Sequence, residues 1–251
     1  MSAATPSPNI WGSPHVYERL NRAADPDGLV VAALDGLVEQ VSEKGLGVDV
    51  GCGAGYHLPM LAARFRRVVG VEPHAGLADI ARRRVAKARL DSRVQVRVGL
   101  AESLPVQSSS VDVVFSHWAY FFGAGCEPGL REAERVLRPG GLQVAVDLDV
   151  TARHGYPNWF FASGTGVRGD RTATFFAGHG WHERRLPVVW SFESRGDLDA
   201  VLRIEFPPPV AARALQETVG STIAVPTVLR WRRLPAPTTP ARRDRRVGPP
   251  S

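Results

Sequence analysis

The 251-residue chain has only two cysteines, Cys52 and Cys126, and only two lysines against 29 arginines. Two thiols build no disulfide framework, so stability must come from a hydrophobic core, as is usual in a reducing compartment. No window approaches the roughly 18 unbroken apolar residues of a membrane span. The N-terminal MSAATPSPNIWGSPH lacks the basic start and apolar core of a secretory signal. These absences predict a cytoplasmic protein that does not cross a membrane. Metal-binding sets are also missing. His179 and His182 in HGWH have a His-x-x-His spacing, but no nearby carboxylate or cysteine completes a site, so no metal is expected.

The charge is unevenly spread. Seven arginines and one aspartate between Arg230 and Ser251 account for the whole net charge of +6, which leaves the rest of the chain balanced. The segment 235–251, PAPTTPARRDRRVGPPS, is basic, rich in proline and without an apolar face, and reads as a disordered tail. A balanced body argues against a nucleic-acid enzyme, whose basic surface usually lies on the folded domain. An RNA-directed activity using the tail remains the alternative.

With 44% hydrophobic and 22% charged residues, the chain has the composition of one globular domain. Short β-branched runs alternate with longer helical patterns, the mark of βαβ units and a parallel sheet. Strands are predicted at 46–50, 67–71, 93–98, 111–116 and 142–147. Helical stretches separate them, including GLADIARRRVAKAR with its apolar residues on one side. After Asp149, ARHGYPNWFFASGTGVRGD lacks a clean period and reads as a loop or lid. LPVVWSFES and STIAVPTVLRWRRL then supply two more strands, making seven, with helices between them.

Chemistry concentrates in VDVGCGAGY, Val48 to Tyr56, where three glycines follow a strand. A dinucleotide fingerprint needs glycine at 56, where this chain has Tyr, and a Walker loop needs Gly-Lys-Ser/Thr, which is absent. Asp49 stands two residues before Gly51. Its carboxylate repels a pyrophosphate but suits a ligand with an ammonium or sulfonium. Glu72 follows the glycines by about twenty residues, where an acid accepts hydrogen bonds from ribose hydroxyls in related nucleotide folds.

Four segments in order, VDVGCGAG, VVGVEP, AESLPVQSSSVDVVFS and REAERVLRPGGLQVAVD, resemble the class I S-adenosylmethionine-dependent methyltransferases. The resemblance is to the small-molecule branch related to the quinone-biosynthesis C-methyltransferases, and it spans about Gly47 to Asp147. It implies an α/β, Rossmann-like, doubly wound seven-stranded sheet, mostly parallel with an antiparallel last strand. It also implies S-adenosylmethionine as cofactor and a small-molecule methyl acceptor. The expected organisation is a cap segment at 1–25, a methyltransferase domain at 26–234 with its core at 46–147, and the tail.

By the same resemblance the cofactor is held by Asp49, Gly51, Cys52, Gly53, Gly55, Glu72, Pro73, Ala101, Glu102 and Ser116. Leu100 occupies the slot where the family often has an aspartate for the adenine amino group, so adenine recognition is expected to lean on backbone contacts and packing. On the acceptor side, His117 reads either as a general base or as a packing residue. His15, Tyr17, Trp118, Tyr120 and Tyr156 are the candidates for contact with the acceptor. A binding module without turnover is the third reading, since fold does not fix function.

Overall fold

The computed structural model describes residues 7–164 and 169–236. Three helices come first: α1 (Pro8–Gly12), α2 (Pro14–Ala23) and α3 (Leu29–Val38). An alternating stretch follows, with β1 (Leu46–Val50), α4 (Leu58–Ala62), β2 (Arg67–Glu72), α5 (Ala75–Lys87) and β3 (Val94–Val98). It continues through β4 (Val111–His117), α6 (Glu127–Val136) and β5 (Leu137–Leu148). The second half contains α7 (Tyr156–Ala162), α8 (Gly169–Gly178), β6 (His182–Leu186) and β7 (Val189–Ser191). It closes with α9 (Arg195–Glu205), α10 (Pro208–Glu217), β8 (Thr222–Ala224) and β9 (Thr227–Arg233).

The main sheet has the order β3-β2-β1-β4-β5-β9-β6. Strands β1 to β5 pair in parallel, and β9 runs antiparallel to both β5 and β6. The chain winds outward from β1 to β3 and then returns to the other side of β1, so β1 and β4 flank the switch point. In open α/β sheets the crevice at that point, at the carboxyl ends of the strands, receives ligands. The buried faces explain the near-continuous apolar strands. Val113, Phe115, Val144 and Val146 face one core with α3 and α9, and Val48, Val50, Val114 and Ala145 face the other with α6.

Two expectations need correction. The seventh strand of the sheet is β6, HERRL, and not LPVVWSFES, whose central residues form β7 and pair with β8 in a separate two-stranded sheet. β6 is an edge strand with four of its five residues exposed, so it carries no apolar pattern. The stretch after Asp149 is also more regular than a loop. Tyr156, Pro157 and Trp159 of α7 are buried, because this helix closes the core over α9 and α10. The tail from residue 237 lies outside the described residues, as do residues 1–6 of the cap and residues 165–168. Pro235 itself accepts a hydrogen bond from the Gly140 amide (3.3 Å).

Candidate functional site

A cavity of about 460 Å³ opens at the switch point. The glycine loop and the end of β2 form one wall, the segment after β4 another, and Ile10 and Trp11 of α1 cover it. Trp11 stacks on His74 with ring centroids 4.8 Å apart. The ring of His74 is fixed from below, because its Nδ1 accepts from the Leu77 amide (3.2 Å) and caps α5.

The glycine loop is not an anion cradle. The amides of Gly51 and Cys52 donate to the Val71 carbonyl (2.8 and 3.1 Å), Gly55 donates to the Cys52 carbonyl (2.8 Å), and Gly53 donates to Glu72 Oε2 (2.9 Å). These N–H groups are thus committed inside the protein. Glu72 Oε1 accepts from the His74 amide (3.0 Å), so the carboxylate is held at both oxygens while it faces the cavity. Burial still pushes the Glu72 carboxyl up, and the two amides partly offset that.

Two glycines have steric reasons to be glycine. Gly51 has φ +74°, and a Cβ there would lie 2.4 Å from the Cβ of Ala119 in the segment leaving β4. Gly55, with φ +77°, packs on α5, where a Cβ would come within 2.9 Å of the Cβ of Ala81. Gly55 is therefore a packing residue and does not line the cavity.

Of the residues singled out by sequence, Gly51, Cys52, Gly53, Glu72 and Pro73 line the cavity, as do Leu100, Ala101 and Glu102. On the other wall stand Tyr17, His117, Trp118 and Tyr120. Asp49 lies behind the loop, almost fully buried, and its Oδ2 has no hydrogen-bond partner among the described residues. Burial, with the Glu72 charge adding to it, pushes the Asp49 carboxyl up to about 7. Ser116 is buried in β4 and stays out of the lining, because successive strand residues point to opposite faces and His117 takes the cavity side.

His15 is exposed on α2 and does not reach the cavity. Tyr156 is also outside it: its hydroxyl donates to Glu205 Oε2 (2.6 Å), behind the ring of Trp118. Glu205 was not legible as a site residue, since it closes an ordinary amphipathic helix. Its Oε1 accepts from Asn9 Nδ2 (2.8 Å), which ties α1 to α9. The carboxyl of Glu205 is pushed up by burial, and its charge adds to burial in raising the phenol of Tyr17.

His57 was also missed, because it sits among apolar residues that read as the start of a helix. It lines the cavity against His117, with ring centroids 4.4 Å apart. Burial lowers the His57 pKa to about 4, with Arg84 contributing, and burial with His57 beside it holds His117 well below the usual range. Both rings are neutral at neutral pH. Trp118, next to His117, has φ +48°, an uncommon backbone conformation for a bulky residue, and its amide is anchored to the Val146 carbonyl (2.8 Å).

Among the described residues no lysine or arginine lines this cavity, although the chain has 29 arginines. His179 and His182 lie elsewhere, His179 against the Phe175 carbonyl and His182 stacked on Trp231. No group of three or more potential metal ligands occurs among the described residues. No helix among them is long and apolar enough to cross a membrane.

Residues 48–145 match the family described as "Methyltransferase domain". The chain carries a class I methyltransferase domain. That domain resembles a ubiquinone/menaquinone biosynthesis C-methyltransferase from Rubrivivax gelatinosus, 33% identical over 42% of this chain and 40% of the relative. It also resembles a demethylmenaquinone methyltransferase from Symbiobacterium thermophilum, 32% identical over 40% of this chain and 41% of the relative. The matched region thus spans about two-fifths of each of these curated relatives.

The methyltransferase fold extends further than the matched sequence. A putative methyltransferase from Bacillus halodurans superposes with TM-score 0.59 at 15% identity, over 82% of this chain and all of that one. Geranyl diphosphate C-methyltransferase from Streptomyces coelicolor, solved with Mg2+, geranyl diphosphate and S-adenosyl-L-homocysteine, gives 0.55 at 18% identity over 81% and 77%.

Proposed function

We propose that the domain binds S-adenosylmethionine in this cavity and transfers its methyl group to a small, uncharged organic acceptor. The observation that carries this reading is the charge of the cavity. Glu72 and Glu102 line it, no lysine or arginine does so among the described residues, and the amides of Gly51, Cys52, Gly53 and Gly55 are spent internally. Such a site attracts a ligand bearing a sulfonium and an ammonium and repels a pyrophosphate. It also gives an acceptor diphosphate no cationic partner.

The residues present fit the cofactor. The unpartnered Oδ2 of Asp49 offers an acceptor for the ammonium, directly or through a water. Glu72 retains a second lone pair on each oxygen for the ribose hydroxyls. Pro73 and Leu100 would hold the adenine by packing, and the backbone of Ala101 would offer it a hydrogen bond. When bound, the cofactor supplies a methyl group already activated on a sulfonium. The protein's part is alignment and exclusion of water, and His117, which lines the cavity, is the candidate to take a proton from the acceptor.

Calorimetry tests the binding step: S-adenosylmethionine and S-adenosylhomocysteine are expected to bind and NAD not to. A preference for NAD would overturn the reading. Transfer of labelled methyl to a panel of neutral phenols, amines and enolisable carbonyls then separates an enzyme from a binding module.

A further inference from the structure

The methyl-transfer reading leaves the acceptor open, but the two imidazoles opposite the glycine loop narrow it. His57 follows the loop that leaves β1, and His117 ends β4. Because β1 and β4 are adjacent parallel strands, their carboxyl-end extensions bring the two rings to 4.4 Å between centroids, tilted by 46°. Both rings line the cavity, and neither ring has a hydrogen-bond partner among the described residues. Around them stand Trp118, Tyr17 and the side chain of Asn21, a wall of flat and uncharged groups.

A neutral imidazole carries one N–H donor and one lone-pair acceptor. Water satisfies them while the cavity is open. Once a ligand fills the cavity and displaces that water, each unmet donor or acceptor costs free energy. A ligand with a lone hydroxyl has one proton to give, so it meets one ring's lone pair and leaves the other's unmet. A ligand with two adjacent hydroxyls gives a proton to each ring's lone pair, while its oxygens still accept from the N–H groups. Carboxylates and phosphates are disfavoured by the acids on the opposite wall.

We infer that His57 and His117 act as a pair that recognises a planar acceptor bearing two adjacent hydroxyls, and that the oxygen of one of them is methylated. This inference rests on the methyl-transfer reading above. As the hydroxyl oxygen bonds to the methyl carbon, the carbon–sulfur bond breaks and its electron pair stays on sulfur. The hydroxyl proton passes to an imidazole nitrogen of the pair and later to solvent.

The test uses the full chain saturated with S-adenosylhomocysteine and three probes of similar size: catechol, phenol and anisole. Catechol is expected to bind at least about tenfold more tightly than either of the others, the scale of one added hydrogen bond. With S-adenosylmethionine in place, catechol is expected to be methylated on one oxygen, giving guaiacol and S-adenosylhomocysteine.

In His57→Phe, which keeps a flat ring and removes both nitrogens, the ratio of catechol to phenol affinity should fall to near one. The wild-type ratio stands as evidence even if that variant does not fold. Equal affinity of wild type for catechol and phenol, an unchanged ratio in a folded His57→Phe, or methylation on carbon would overturn the inference and leave the cofactor reading intact. Failure of S-adenosylhomocysteine to bind would overturn the cofactor reading, and this inference with it.

Discussion

Glu72 meets the cavity with one backbone amide on each oxygen, so its orientation is set before any ligand arrives. Glu72→Ala should weaken cofactor binding by about 1.5–3 kcal/mol, the scale of hydrogen bonds to a charged group. Calorimetry giving equal affinity for wild type and variant would remove the ribose role.

Asp49 makes a different prediction, because its carboxyl is pushed up to about 7 by burial. An acid raised in the folded state contributes stability that is complete below its unfolded value of about 3.9 and is lost as pH rises through 7. Asp49→Asn should therefore be more stable than wild type at pH 8, by about 1–3 kcal/mol, and no more stable at pH 4. The same variant should bind cofactor less well, since the ammonium loses its counter-charge. Denaturant melts at the two pH values check the first part.

His117 has the opposite sign. Burial holds its pKa well below 6.5, so a rate that depends on its neutral form should stay level through pH 6.5 and fall only in more acid solution. His117→Ala should lower the maximal rate by about 10²–10⁴-fold and abolish that acid limb. A wild-type limb centred near 6.5 would exclude His117 as its origin.

At the scale of elements, the loop after β1 and the segment after β4 are fitted to each other through Gly51 and Ala119. Gly51→Ala should disturb the cavity wall and lower cofactor affinity. Gly55→Ala should instead loosen α5 and lower stability by about 1–3 kcal/mol, through overpacking and an unfavourable φ. Thermal melts and cofactor titrations on the two variants separate these effects.

Elements built on apolar repetition were readable from sequence. Strands β1 to β4 fall within a residue of their expected ends, and Glu72, at the end of β2, lines the cavity. What the sequence hid depends on neighbours. β6 is polar because it pairs on one side only, and its strand state comes from β9. The pairing of His57 with His117 joins residues sixty positions apart and follows from strand order, which no local pattern encodes. Tyr156 looked like a contact residue because aromatics cluster around it, yet the acid that claims its hydroxyl, Glu205, lies 49 residues away.

For the whole molecule, the body carries the site and is electrically balanced, while the net positive charge lies from Arg230 onward. Truncation after Ala236 removes a segment with no apolar pattern, and is expected to leave melting temperature and methyl transfer to small acceptors unchanged. A clear loss of either would show that the segment contributes to the folded domain.

The cover formed by α1 has a kinetic consequence. A five-residue helix fastened by the Trp11–His74 stack and the Asn9–Glu205 hydrogen bond closes the cofactor side of the cavity. Exchange of spent for fresh cofactor then has to wait for that fastening to open, whatever the speed of the chemical step. Weakening it by Asn9→Ala should quicken release of S-adenosylhomocysteine in stopped-flow displacement and weaken its equilibrium binding. If release limits turnover, the variant with the looser grip will be the faster enzyme at saturating substrate.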